Sequence, residues 1–78
     1  MDTLARLNAV FRKVFDDEDL LVEAQTTAND VVGWDSLSHV NLILAVESEF
    51  KIRFTQKELL RFGNVGDLLN SIESKIRQ

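Results

Sequence analysis

A small all-α bundle of four helices is the fold these 78 residues predict. Apolar residues recur at three- and four-residue spacing in separate stretches, no proline interrupts them, and no stretch alternates apolar with polar residues long enough to make a strand. An apolar share of 45% supplies one small core and the length leaves no room for a second, so residues 1–78 are expected to form a single domain.

Each element has its own signal. Leu4, Leu7, Phe11 and Val14, widened by Val10 and Phe15, make one apolar stripe, so residues from about 3 to 15 read as an amphipathic helix. From Asp16 to Trp34 neither periodicity holds, and Thr26-Thr27, Asn29-Asp30 and Gly33 mark turns. This reads as a long ordered loop, pinned to the core by Leu20, Leu21, Val22, Val31, Val32 and Trp34. Asp35 or Ser36 can cap a second helix running to about Lys51. Thr55-Gln56-Lys57-Glu58 has the spacing of a capping box and opens a short third helix, Gln56 to about Phe62. Gly63 suits the turn after it, Asn64 the cap of a fourth helix, and Asp67 its first turn. Val65, Leu68, Leu69, Ile72 and Ile76 then share a face, with Lys75 and Arg77 in the last turn, where the helix dipole favours cations.

The second helix carries two apolar faces. At about 100° per residue, His39, Leu42, Ile43, Val46 and Phe50 fall together on a core-facing side. Leu37, Val40 and Leu44 fall on another, beside Ser36, Glu47 and Lys51, while Ser38, Asn41, Ala45 and Ser48 make a small polar third. The second apolar strip is covered either by the loop or the third helix, or by another protein that docks on Leu37, Val40 and Leu44 with Glu47 as a charged rim. Periodicity alone leaves both open.

Composition excludes several kinds of chemistry. There is no cysteine and a single histidine, so disulfides, thiolate sites and the usual zinc ligand sets are ruled out. The longest apolar stretch, Leu42 to Val46, is far too short to span a bilayer, and Met1-Asp2-Thr3 lacks the features of a secretory signal, so a cytoplasmic protein without membrane insertion is expected. The net charge of −4 argues against nucleic-acid binding, which relies on clustered Lys and Arg. Eight of the thirteen acids fall in residues 1–35 against three bases, which steers a basic partner toward the region before Ser36. The run Asp16 to Asp19 reads as solvated loop.

Gly33-Trp34-Asp35-Ser36-Leu37 places an acid and a serine at the foot of a helix, where backbone N–H groups lack partners and the peptide dipoles favour an anion. Ser36 is therefore the candidate working residue. Its position suits an attached phosphate ester. Nucleophilic attack requires an oriented base, and His39 has no acid evidently placed to hold it, so His39 reads as a half-buried structural residue and the chain as a non-enzyme.

The segment Gly33-Trp34-Asp35-Ser36-Leu37-Ser38-His39-Val40, continuing through Leu42, Ala45-Val46-Glu47-Ser48-Glu49-Phe50 and then Asn64-Val65-Gly66-Asp67-Leu68, strongly resembles the acyl carrier proteins, and the likeness covers nearly the whole chain. It implies a four-helix bundle of acyl-carrier type, with a 4′-phosphopantetheine arm placed on Ser36 by a phosphopantetheinyl transferase that recognises Asp35. The arm's thiol would hold acyl groups as thioesters for acyl-ligase or ketosynthase-type partners, and a monomer is expected because the arm must meet them in turn. In relatives the acyl chain can fold between the helices, and the matching lining would be Ile43, Val46, Leu59, Phe62, Leu68 and Ile72, which serve equally well as core.

Departures from the familiar fatty-acid carriers are equally informative. Ser38, Asn41 and Ser48 stand where acids are expected, leaving Glu47 and Glu49, and Lys51, Arg53, Lys57 and Arg61 add positive charge around the third helix. A specialised carrier serving dedicated enzymes of fatty-acid, lipid or polyketide-type biosynthesis is the resulting expectation. An aminoacyl or D-alanyl carrier, and a helical interaction module without an arm, are the alternatives.

Overall fold

Asp2 starts the first helix: its carboxylate accepts the Ala5 amide at 2.7 Å, and α1 then runs from Thr3 to Val14. In the computed structural model, which describes residues 2–76, α1 is followed by α2 (Ser36–Phe50), α3 (Gln56–Leu59) and α4 (Val65–Ile76), with no strand among the described residues. The four-helix expectation holds. Arg77, expected in the last turn of the fourth helix, lies outside the described residues.

α1 packs chiefly against α2 and also meets α4. Leu7 and Phe11 of α1, Leu42 and Val46 of α2, and Val65, Leu68 and Ile72 of α4 close the core, together with Val22 from the loop. Each such side chain contributes about 1.5–3 kcal/mol on removal from water. The predicted core face of α2 is the observed one, since Leu42, Ile43, Val46 and Phe50 are all buried. On α4, by contrast, Ile76 at the end of the stripe is exposed.

The loop of residues 16–34 is ordered, as expected, but is held by other means than its apolar content alone. Val22 and Val31 are buried and Leu20 and Trp34 pack on the core, whereas Leu21 and Val32 point outward, Val32 being 98% exposed. The stronger pin is Asn8, a buried polar residue on α1. Its amide donates to the carbonyl of Val22 at 3.1 Å and its Oδ1 accepts the Val22 N–H, so both backbone groups of the loop's buried residue are satisfied. A second fastening lies at α4, where Val65 N–H donates to Thr26 O at 2.8 Å and Gly66 N–H to Ala24 O at 2.6 Å. Within the loop, Ala28–Asp30 forms one turn of 3₁₀ helix, with the Thr27 N–H held by Asp30 at 2.9 Å. The acidic run Asp16 to Asp19 is exposed, as read from the sequence.

Gly66 is where the loop comes closest to α4. A β-carbon there would stand 2.9 Å from the carbonyl oxygen of Ala24, nearer than a methyl tolerates. Gly66→Ala is therefore expected to cost about 1–3 kcal/mol despite the better helix propensity of alanine, read as a lower denaturation midpoint. Unchanged or raised stability would show that the loop yields at Ala24.

The third helix is shorter than the expected Gln56 to Phe62. The capping box forms as predicted, with Glu58 N–H to Thr55 Oγ1 at 3.2 Å and Thr55 N–H to Glu58 Oε1 at 2.9 Å. The chain then tightens, Arg61 N–H bonding to Glu58 O, because Leu60 faces solvent at 88% exposure and gives the helix nothing to pack. Asn64 caps α4 through the Asp67 amide at 2.9 Å, and Asp67 in turn accepts the Gly63 N–H.

Lys75 does more than complement the end of α4. Its Nζ lies 2.9 Å from Glu58 Oε1, and Ser71 Oγ donates to Glu58 Oε2 at 3.0 Å, so one carboxylate clips α3 to α4. Lys75, the Thr55 amide and Ser71 together hold Glu58 well below its ordinary value of 4.5, at about 2. A carboxyl with a depressed folded-state value contributes stability that is present above the unfolded value and is lost as pH falls through the folded one. Stability is thus expected to decline between about pH 4.5 and about pH 2, and Glu58→Gln should flatten the Glu58 part of that decline in a denaturation series across acid pH. A variant whose decline matches the wild type would remove Glu58 as its source.

Candidate functional site

The loop delivers its last residues to α2 through Gly33, whose φ of +88° is open to glycine and strained for other residues. Its carbonyl accepts the Ser38 hydroxyl at 2.7 Å. Trp34 N–H bonds back to Val31 O, closing the turn. Asp35 follows in extended conformation and caps the helix, Oδ1 accepting the Ser38 amide at 2.9 Å. The bond from the Ser38 backbone draws the Asp35 carboxyl below its ordinary value, keeping it ionised.

That settles which of the two expected caps acts. Asp35 is the cap, and Ser36 is the first helical residue, exposed, with its hydroxyl not required for capping. Acid and serine hold separate positions at the foot of α2, beside the unpaired backbone N–H groups of its first turn.

Next to Ser36 the surface dips into a cavity of about 450 Å³ lined by Ala28, Trp34, Asp35, Ser36, His39, Phe62, Gly63, Asn64 and Leu68. Of the interior lining expected from the sequence, only Phe62 and Leu68 reach it. Ile43, Val46 and Ile72 are buried core, with Leu59 packed against them, because the aromatic residues and aliphatic side chains fill the space between the helices. Trp34 is the wall the sequence reading missed, having been taken only as a loop pin. Its ring meets Phe11 edge-on at 5.3 Å and lies nearly parallel to that of His39, with centroids 6.1 Å apart. No local spacing signals this contact, because Trp34 stands before α2 and is brought to His39 by the turn at Gly33.

His39 is half-buried, as expected, and its Nδ1 accepts the Trp34 indole N–H at 3.1 Å. An indole donor in the place where a triad would need a carboxylate leaves nothing to orient this histidine as a base for Ser36. No group of three or more potential ligands among the described residues could hold a metal. The geometry suits a covalent anchor at Ser36.

The second apolar strip of α2 is uncovered. Leu37, Val40 and Leu44 are 73%, 55% and 59% exposed, so packing within the chain does not account for them. Neither the loop, which turns toward α1 and α4, nor the four-residue α3 reaches this side. Of the two acids expected on the helix, Glu49 lies on the opposite side and pairs with Arg6 at 3.2 Å, an exposed contact worth little by itself. Glu47 is half-buried, and its Oε2 accepts the Phe54 amide at 2.8 Å, so its first task is to hold the α2–α3 connection. Lys51 ends the helix in left-handed conformation at φ +56°, and it and Arg53 are exposed.

Comparison with known proteins bears on this arrangement. Residues 5–72 match the family model described as a phosphopantetheine attachment site. The chain is 32% identical over 77 residues to an acyl carrier protein of Cylindrotheca sp. (strain N1), covering 99% of this chain and 96% of that one. It is 35% identical over 60 residues to an acyl carrier protein of Thermotoga maritima, covering 77% and 73%. Its fold is similar to the solution NMR structure of a holo acyl carrier protein from Geobacter metallireducens, with a TM-score of 0.92 and 45% identity over 99% of this chain and 88% of that one.

Proposed function

The chain belongs to the phosphopantetheine-binding acyl carrier protein family, and from that premise we propose that Ser36 is the residue that bears the arm. The protein is a carrier that holds acyl groups on covalent 4′-phosphopantetheine. When bound, the group supplies a thiol that forms the thioester, which this cysteine-free chain lacks. One observation carries the assignment: Asp35 takes over the capping of α2, and an exposed hydroxyl is left free at the first helical position beside an open cavity. The same observation counts against an arm-free interaction module in which Ser36 serves as the cap.

Residues 1–78 act as one carrier domain, monomeric so that successive enzymes can reach the arm. A phosphopantetheinyl transferase reads Asp35, ionised and exposed beside its target, and acyl-ligase or ketosynthase-type enzymes load and use the cargo. Nothing in the site's chemistry supports a catalytic role for the chain itself. Among the described residues no helix is long and apolar enough to cross a membrane. Co-expression with a broad-specificity phosphopantetheinyl transferase followed by intact-mass measurement tests the reading. Gain of one arm, mapped by peptide fragmentation to Ser36, is expected, and an unmodified folded protein overturns it.

Leu37, Val40 and Leu44 form the docking strip for these enzymes. Glu47 belongs to its edge, with one oxygen already committed to Phe54. Ser38, Asn41 and Ser48 leave the strip poor in acids, and Lys51 and Arg53 stand at its far end, which supports service to a dedicated set of enzymes in lipid or polyketide-type synthesis. Transfer by general fatty-acid ketosynthases at full efficiency would count against that specialisation. Leu44→Arg is expected to leave helicity and midpoint unchanged, because the side chain is exposed, and to lower kcat/KM of the transferase or of a loading ligase at least about tenfold, or about 1.4 kcal/mol. Loss of the fold in that variant would instead assign the strip to internal packing.

A further inference from the structure

The Trp34–His39 pair does more than wall the cavity. An indole nitrogen can only donate, so the 3.1 Å bond to His39 makes Nδ1 the acceptor and, in the neutral imidazole, places the proton on Nε2. The bond also fixes where the ring lies. His39 sits one turn beyond Ser36, helical side chains lean toward the helix start, and Trp34 precedes Ser36, so the imidazole is drawn back along the turn that Ser36 opens. The two rings are near-parallel, 19° apart with centroids at 6.1 Å, so they lie side by side as this in-plane bond requires. Trp34, Ser36 and His39 accordingly line one cavity.

A phosphodiester on Ser36 accepts hydrogen bonds and donates none. The indole N–H is already committed to Nδ1, and the other charged group at the cavity, Asp35, is an acceptor held by the Ser38 amide. Two side-chain donors are left in the lining, the Asn64 amide at the start of α4 and His39 Nε2–H, and His39 is the one carried by Ser36's own helix, one turn away. We propose that His39 is a positioning residue for the prosthetic arm: its Nε2–H donates to a phosphodiester oxygen on Ser36, and Trp34 sets the tautomer that makes this possible. The root of the arm is thereby held toward the cavity between Trp34 and Phe62 while its thiol end stays free to move. The inference rests on Ser36 bearing the arm.

The test uses the whole protein in apo and loaded forms. Long-range ¹⁵N–¹H spectra are expected to show His39 protonated at Nε2 in both, with the Nε2 signal displaced on loading, a measurement that needs no variant. The ³¹P signal of the phosphodiester should move in His39→Phe, return toward its wild-type position in His39→Gln, whose side-chain amide offers an N–H at the same reach, and move in Trp34→Phe, which frees the imidazole to change tautomer. A purely structural histidine would leave the ³¹P signal in place. Intact mass separates the two readings: an arm present on Ser36 with His39 Nε2 unmoved by loading overturns this inference alone, and no arm on Ser36 overturns it together with the attachment site.

Discussion

Ser36→Ala is expected to abolish arm loading completely while leaving the fold as it is. Alanine has no oxygen with which to form the phosphodiester, so intact mass after incubation with a phosphopantetheinyl transferase and coenzyme A should equal that of the apo protein. The fold is spared for a reason visible at the site. Asp35 supplies the capping bond and Ser36 is an exposed first-turn residue, so the stability change should stay within about 0.5 kcal/mol. Circular dichroism and a denaturation midpoint measured on the same sample check this. A variant that still gains mass would move the attachment point elsewhere, and one that unfolds would return Ser36 to a structural role.

The largest loss of stability is expected from Asn8→Leu. Leucine has the same number and branching of side-chain heavy atoms as asparagine, in a somewhat larger volume, and offers nothing to the Val22 N–H and C=O, both buried with the loop. A buried backbone group without a partner costs about 1–3 kcal/mol, and two are left here. The whole stability of a chain of this length is about 4–12 kcal/mol. Unfolding in part of the population at 37 °C is the predicted result, measured by calorimetry or by the urea midpoint. Asn8→Asp keeps the acceptor for Val22 N–H but turns a buried carboxylate oxygen toward the Leu4 and Val22 carbonyls, so it should also destabilise strongly. Wild-type stability in Asn8→Leu would mean that water enters and replaces both bonds.

Asn8 also marks where sequence reading stopped. The four helices were legible because each buries an apolar stripe with helical spacing, and three boundaries were legible because Asp35, Thr55 and Asn64 carry side chains that satisfy N-terminal amides. A buried asparagine in α1 reads only as an interruption in the stripe, since its partner lies fourteen residues away in a segment without periodicity. The pairing of Lys75 with Glu58 escaped for the same reason, as did the tie of Arg6 to Glu49, both made between elements distant in the chain. The end of α3 was misplaced because Leu59, Leu60 and Phe62 look alike to a periodicity argument, although Leu60 faces solvent and the other two face the core.

For the site, the serine and its acid were legible from local spacing, and the two apolar faces of α2 were legible as faces. Which face stayed open was not, because a pattern records that a stripe is apolar without recording what lies against it. Trp34 shows the same limit from the other side. Its place in the loop was visible, but that its indole reaches into α2 to hold His39 depends on the turn at Gly33, whose positive φ the sequence suggests only as a turn.

The double fastening of residues 16–34, to α1 through Asn8 and to α4 through Val65 and Gly66, governs how the molecule can move. Amide protons of Val22 and Gly66 should exchange with deuterium only through global opening, at rates matching those of the deepest helical amides, even though the segment has almost no regular structure. The long connection is then no lid, and the platform that presents the cargo turns as one stiff body. Reach and adaptability belong to the tether, while shape belongs to the protein.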